Sequence, residues 1–281
     1  MLKAAIAFVT RRRLWAPDAA RGASAPAGPA LAGPDGESPA AAVPTARLDF
    51  PHSDIDLYVT SEPERRWRSR ACAKEPWTVE WLIQDIGPGE VLYDIGANVG
   101  TFSLIAAKHC GAMVVAFEPG YATFARLCDN IHLNGLDRAV VPVPLPLAER
   151  TGIVGFKYRT LDPGQSRHRL YDEAWSGDTG SRQVARYIQP TLAITLDALC
   201  AQFQLPAPHH LKIDVDGAEP RVLAGAAETL RGQNLRTILI EVDDEHWASV
   251  DETLRGSGFR LRVRHRREEK PGAPCYAVFE R

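Results

Sequence analysis

At 281 residues, 45% of them hydrophobic and 24% charged, the chain has room for one large domain, or a domain with appendages, around a real core. Its formal charge of -2 and pI near 6.5 demand no polyanionic partner such as nucleic acid. The five cysteines (Cys72, Cys110, Cys128, Cys200 and Cys275) are odd in number and include no C-x-x-C pair. They argue against a zinc or disulfide-exchange motif and for a reducing cytoplasm.

The opening MLKAAIAFVTRRRLW places six apolar residues ahead of three arginines. That run is too short for a secretory core and in the wrong order, although an Arg-rich organelle-targeting reading stays open. No apolar run reaches the 18 residues of a membrane span. From 16 to 45 the chain is mostly Ala, Gly, Pro and Ser, which cannot bury enough surface to offset its ordering entropy. The expectation is a disordered segment over 1–48, followed by one folded domain over 49–281.

From Pro76 onward strand-like and helix-like patterns alternate, the signature of a parallel sheet with covering helices. A helix beginning at Pro76 stops at Gly87-Pro88-Gly89. Then come a strand over 91–95, a helix over about 100–109, a strand over 113–118, a helix over about 121–133 and a strand over 139–143. The second of these helices ends at the C-cap pair Asn134-Gly135. A polar stretch over 157–181 interrupts the alternation and reads as a substrate lid. Thr195 reads as the N-cap of a short helix over 196–203. A strand over 210–215, a helix over about 218–231, a strand over 236–242 and a helix over about 245–256 follow. Strands over 259–264 and 276–279, joined by EEKPG, form a terminal antiparallel hairpin.

The turn YDIGANVG, residues 93–100, follows a strand and opens a helix, but Asn98 stands where a dinucleotide fingerprint has its second glycine. Gly96 makes the tight turn, Ala97 and Asn98 form the loop, and Gly100 lets the helix pack close. Asp94 repels a pyrophosphate yet suits a ligand ammonium, while the helix N-terminus takes that ligand's carboxylate. Glu118 lies about 20 residues downstream, where such folds bind ribose hydroxyls. An amino-acid-bearing nucleoside meets all of these conditions, which points to S-adenosyl-L-methionine as cofactor.

The segments DIGANVGTFS, AFEP, DNIHLNGL, TLDAL, LKIDVDGAE and ILIEV, in this order and spacing, resemble the FkbM family of S-adenosylmethionine-dependent methyltransferases over about 76–242. The resemblance implies an α/β fold: a class I methyltransferase (Rossmann-like), doubly wound sheet of strand order 3-2-1-4-5-7-6. It also implies O-methylation of small molecules or sugars. Two departures flank the reaction site, Asp216 where the family usually has Glu and His210 where an acidic residue is common. Both weaken any inference about substrate.

In a doubly wound sheet, ligands sit at the carboxyl ends of the strands where the order reverses. The tip of LKIDVDGAEP therefore faces the reacting methyl. Asp214 is the candidate general base, with orientation of cofactor or substrate as the equal alternative. Asp216 and Glu219 have capping-box spacing. Asp216 as N-cap would put Pro220 at a position that deletes a helical bond, whereas Gly217 as N-cap would free Asp216 for substrate or a metal. Glu219 joins Asp214 among the catalytic candidates, with Asp216, Lys212 and Glu241 toward the substrate; Lys212 also suits pairing with a carboxylate.

Asp243, Asp244, Glu245 and His246 suit either a cation or the positive end of the next helix. His209 and His210 point to opposite sides of a strand, so joint metal ligation is not expected. Arg260, Arg262, Arg264 and Arg266, like the run Arg65 to Arg70, read as a solvated face or an anion contact. Pro274-Cys275 lies too far from the fourth strand to serve as a nucleophile.

The leading function is O-methylation of a hydroxyl on a sugar or small metabolite. A nucleotide-dependent oxidoreductase is opposed by Asn98, and a nucleic-acid methyltransferase by DVDG where an adenine enzyme needs a proline-rich motif. A non-catalytic binding module is opposed by intact Asp94, Glu118 and Asp214. The expected partner is a small-molecule or glycan acceptor, without nucleic acid or membrane.

Overall fold

The structure is a computed structural model that describes residues 43–166, 168–171, 187–266 and 274–281. The expected targeting and disordered stretches up to residue 42 lie outside the described residues, as do 172–181 of the proposed lid and the EEKPG loop. The chain is already a strand at Thr45, ahead of the expected boundary at 48. β1 (Thr45–Arg47) pairs antiparallel with β2 (Asp56–Tyr58), and Arg47 Nε bonds Asp56 Oδ1 across the pair at 2.8 Å.

A π-helical turn at Glu64–Arg68 and α1 (Ala71–Lys74) lead to α2 (Pro76–Asp85). The alternation then runs β3 (Val91–Ile95), α3 (Thr101–Lys108), β4 (Met113–Phe117), α4 (Tyr121–Leu133) and β5 (Val140–Val143). After an excursion, α5 (Leu196–Phe203), β9 (His210–Ile213), α6 (Glu219–Ala224), α7 (Ala227–Arg231), β10 (Thr237–Val242) and α8 (Trp247–Gly256) follow. The hairpin β11 (Arg260–Arg266) and β12 (Cys275–Glu280) closes the chain. In the excursion lie β6 (Gly152–Tyr158), β7 (Arg169–Tyr171) and β8 (Tyr187–Ala193), an antiparallel sheet of their own.

The seven-stranded sheet has the order β11-β12-β10-β9-β3-β4-β5, which is the expected 3-2-1-4-5-7-6. Only β12 opposes its neighbours β10 and β11. The order reverses between β3 and β9, so the crevice at their carboxyl ends is the ligand position of this topology. All five residues of β3 are buried, because apolar clusters cover both faces of the sheet. Leu92, Leu104, Ile105, Val114 and Leu239 pack on one side, and Tyr93, Val115, Leu211, Ile238 and Ile240 on the other.

Two expectations change. The helix over 218–231 is broken at Gly225, where a Cβ would come within 2.1 Å of the Ala148 carbonyl oxygen, and Gly225 O instead accepts from Asp197 N. The polar 157–181 stretch is not simply a loop, since its described residues contribute to β6 and β7. The excursion is clasped at its base by a bridge between Leu147 and Ile194, with Ala148 N donating to Ile194 O and Ile194 N to Pro146 O.

Asn130 and Asn134 tie the amino-terminal strands to α4. Asn130 accepts from Tyr58 N at 2.9 Å and donates to Val99 O, and Asn134 bonds both N and O of Asp56. Replacing these backbone partners would require water in a part-buried seam. The arginines of the hairpin are engaged in ion pairs: Arg260 with Glu280, Arg262 with Asp85, and Arg264 and Arg266 with Asp244. Among the described residues no helix is long and apolar enough to cross a membrane.

Candidate active site

A cavity of about 900 Å³ opens at the carboxyl ends of β3, β4, β9 and β10. It is large enough for a nucleoside cofactor together with a small acceptor. Its floor is the glycine turn. Gly96, at φ +85°, approaches the chain so closely that a Cβ would lie 1.8 Å from the Asp214 carbonyl oxygen. Asn98 follows at φ +52°, a left-handed geometry that Asn tolerates better than most residues. Its side chain donates to Gln165 O at 2.8 Å, joining the turn to the excursion. Gly100, at φ +90°, caps α3, where a Cβ would meet Leu127.

Glu118, just past β4, is buried and lines the cavity. Oε2 accepts from Asn98 N at 3.0 Å and Oε1 from Gly120 N at 2.7 Å. A carboxylate offers about four lone-pair sites, so each oxygen retains one for a ligand hydroxyl. Phe156, His168 and Leu170 from the excursion wall this end.

Asp94 behaves differently from its sequence expectation. It is fully buried and does not line the cavity, with Oδ2 accepting from Ser103 Oγ at 2.6 Å and Oδ1 from Lys212 Nζ at 3.1 Å. Lys212 Nζ also stands 3.7 Å from Asp214 Oδ2. Burial acts to lower the Lys212 pKa, yet Asp94 and Asp214 outweigh it and hold the ammonium above its ordinary value. Asp94, Lys212 and Asp214 therefore form a chain of charge from beneath the turn to the cavity.

Neither capping arrangement expected for DVDGAE occurs. Helix α6 begins at Glu219 after Ala218, with Pro220 safely in the first turn. Asp216 turns the chain at φ +54°. Glu219 Oε1 reaches back to accept from both Val215 N and Gly217 N at 3.1 Å. Its Oε2 is buried without a hydrogen-bond partner among the described residues, and the side chain lines the cavity. At the far end, Glu241, Tyr276 and Glu75 make up the wall.

A profile of the methyltransferase FkbM domain matches residues 94–261, more than half of the chain. The chain belongs to the FkbM methyltransferase family. It is similar to hexuronic acid methyltransferase AglP of Haloferax volcanii, 28% identical over 188 residues that span 66% of this chain and 69% of that one. It is also similar to 31-O-demethyl-FK506 methyltransferase FkbM of Streptomyces tacrolimicus, 30% identical over 199 residues, 63% of this chain and 75% of that one. A solved methyltransferase FkbM from Methylobacillus flagellatus aligns with a TM-score of 0.45 at 14% identity, over 71% of this chain and 45% of that one.

Within this FkbM methyltransferase the structure gathers Gly96, Ala97, Asn98, Glu118, Lys212, Asp214, Asp216, Glu219 and Glu241 around one cavity. It leaves Asp94 and Gly100 outside the lining. Sequence reasoning missed Glu75, Ser103, His168 and Tyr276. Ser103 had a signal, lying one turn into the helix after the glycines. Glu75 and Tyr276 had none, being brought to the cavity only by the packing of α2 and the antiparallel return of β12. His209 and His210 do part, His209 accepting from Val91 N while His210 lies between Thr237 and Glu90.

Burial pushes Glu118 up to about 7 although Gly120 and Asn98 amides oppose it, and burial likewise pushes Glu219 up to about 7. Between an ordinary 4.5 and 7 the folded protein keeps protons that the unfolded chain has released, so stability falls as pH rises through that window. His168, pushed down to about 4 by burial, acts oppositely below 6.5. Thermal melts of the ligand-free protein should therefore show Tm falling from about pH 4.5 to 7, more steeply above 6.5 where His168 no longer opposes, and levelling beyond. Glu219→Gln should flatten part of that slope; an unchanged slope would place the titration elsewhere.

Proposed function

We propose that this enzyme is an S-adenosylmethionine-dependent O-methyltransferase acting on a hydroxyl of a small-molecule or glycan acceptor. The observation that carries the reading is Glu118, a buried carboxylate held by two backbone amides with a lone pair left on each oxygen, beside a glycine turn that excludes a Cβ. Two adjacent ribose hydroxyls fit that acceptor pair. The relative FkbM of Streptomyces tacrolimicus, by its name a 31-O-demethyl-FK506 methyltransferase, supports transfer to oxygen and leaves the acceptor of this chain undefined.

When bound, the cofactor would supply an electrophilic sulfonium methyl for transfer to the acceptor oxygen, with the thioether as leaving group. The protein has to align the acceptor and take its hydroxyl proton. Glu219 suits the proton transfer, with a raised pKa and an unpartnered oxygen at the cavity wall. Asp214, at the tip of β9 and partly exposed, suits orientation of the hydroxyl. Lys212 and Asp94 fix Asp214 from below.

S-adenosylmethionine should raise the Tm of the wild-type protein, and Glu118→Ala should remove that shift. A shift produced by NAD in its place would favour an oxidoreductase. With labelled cofactor and a panel of hydroxyl acceptors, Glu219→Gln should keep cofactor binding and lose roughly 100-fold or more in turnover. Full activity in that variant would take Glu219 off the reaction path.

A further inference from the structure

The charges that line the cavity are unequal and unevenly placed. Among the described residues, nine carboxylate side chains face four basic ones. Arg68 acts on Glu118 at the turn end, and Lys212 is committed to Asp94 and Asp214. At the opposite end, beyond Asp214, stand Glu75, Glu241 and Asp243, with Lys74 as the basic neighbour. Lys74 Nζ bonds one Glu75 oxygen at 2.6 Å, while Glu75 Oε2 is buried with no hydrogen-bond partner among the described residues, in a side chain only 4% exposed. A native protein rarely leaves a buried carboxylate oxygen without a donor.

These groups also sense one another. Burial, then Asp214, Glu75 and Asp216, drives the Glu241 pKa well up, with only the Tyr276 hydroxyl opposing. Four acids from separate elements are thus held together at an energetic cost: Glu75 before α2, Asp214 after β9, Asp216 in the next turn, and Glu241 on β10. Buried carboxylates persist in such a group where a positive ligand completes it.

We infer that the end of the cavity beyond Asp214 is a subsite for an ammonium group carried by the methyl acceptor, bound by Glu75, Glu241 and Asp214. An ammonium has three donors, matching oxygens that approach from different elements. A small divalent ion needs its ligands gathered closely. Among the described residues the group of three ligating side chains that meets that condition is Asp243, Glu245 and His246, with ligand atoms within 4.8 Å, which does not include Glu75 or Glu241. An acceptor bearing a carboxylate or phosphate at this end is repelled, so the same residues set specificity by exclusion.

The inference rests on the methyltransferase reading, and the test separates the two. Protein saturated with S-adenosylhomocysteine is titrated with glucosamine, N-acetylglucosamine and glucuronate as probes of equal ring size, following Tm. Glucosamine should bind about tenfold more tightly than N-acetylglucosamine, and glucuronate should give no shift. Glu75→Gln and Glu241→Gln should each erode the glucosamine preference while leaving the S-adenosylhomocysteine shift intact, which also shows that the variants fold. No preference for the amine, a preference for glucuronate, or a preference that survives both substitutions overturns the subsite. A shift caused by Mg²⁺ or Mn²⁺ alone and lost in the same variants overturns it in favour of a metal. Failure of S-adenosylhomocysteine itself to bind instead sinks the cofactor assignment.

Discussion

Lys212→Met is expected to destabilise the protein by about 3 to 5 kcal/mol, because it strips a buried carboxylate of its cation while leaving the carboxylate in place. Asp94 is fully buried, with Lys212 on one oxygen and Ser103 on the other. Methionine fills much of the volume, so the loss reports charge rather than a cavity. Urea unfolding provides the measurement, and the double variant Asp94→Asn/Lys212→Met separates the explanations. Neutralising both partners should recover most of the loss. A double variant as unstable as the single one would mean that Lys212 acts through packing, including its place over the Phe102 ring.

Gly96→Ala should weaken S-adenosylmethionine binding roughly 100-fold or more and destabilise the fold by about 1 to 3 kcal/mol. Two costs coincide at this residue: φ is +85°, and the new methyl would stand 1.8 Å from the Asp214 carbonyl oxygen and 2.8 Å from its carbon. Relief requires the turn and the tip of β9 to separate, which moves Asn98 and with it the amide that fixes Glu118. Gly89→Ala is the control, since φ is +76° there with nothing within 4 Å of the added carbon. Thermal-shift titration of both variants should find affinity lost only at Gly96. Wild-type affinity in Gly96→Ala would mean that the turn is not the floor of the cofactor site.

Much of the sheet was legible because its strands are unbroken apolar runs divided by glycine turns, as in VLYDI before Gly96. Glu118 and Asn98 were legible because both sit at fixed offsets from such a turn. The excursion was not, since β6, apolar at Val154, Phe156 and Tyr158, runs straight into a polar stretch, while β7 and β8 are half-exposed. The pairing of Asp94 with Lys212, in register on the adjacent strand, is not fixed by sequence offset alone. The break in the helix over 218–231 depends on the backbone of Ala148, far away in sequence and close in space. Glu75 and Tyr276 belong to the same class, a wall assembled from the two ends of the domain.

The bridge between Leu147 and Ile194 means that the antiparallel excursion leaves and rejoins the main chain at a single point. Its side chains face the Glu118 end of the cavity through Phe156, His168 and Leu170, while bonds to the rest of the domain run through that clasp, the Asn98–Gln165 and Tyr121–Tyr158 bonds, and Ser61 and Arg68 on Pro163 and Gly164. Such an attachment makes the wall a separable unit: its length and side chains set what is enclosed, while the register of the seven strands beneath does not depend on them.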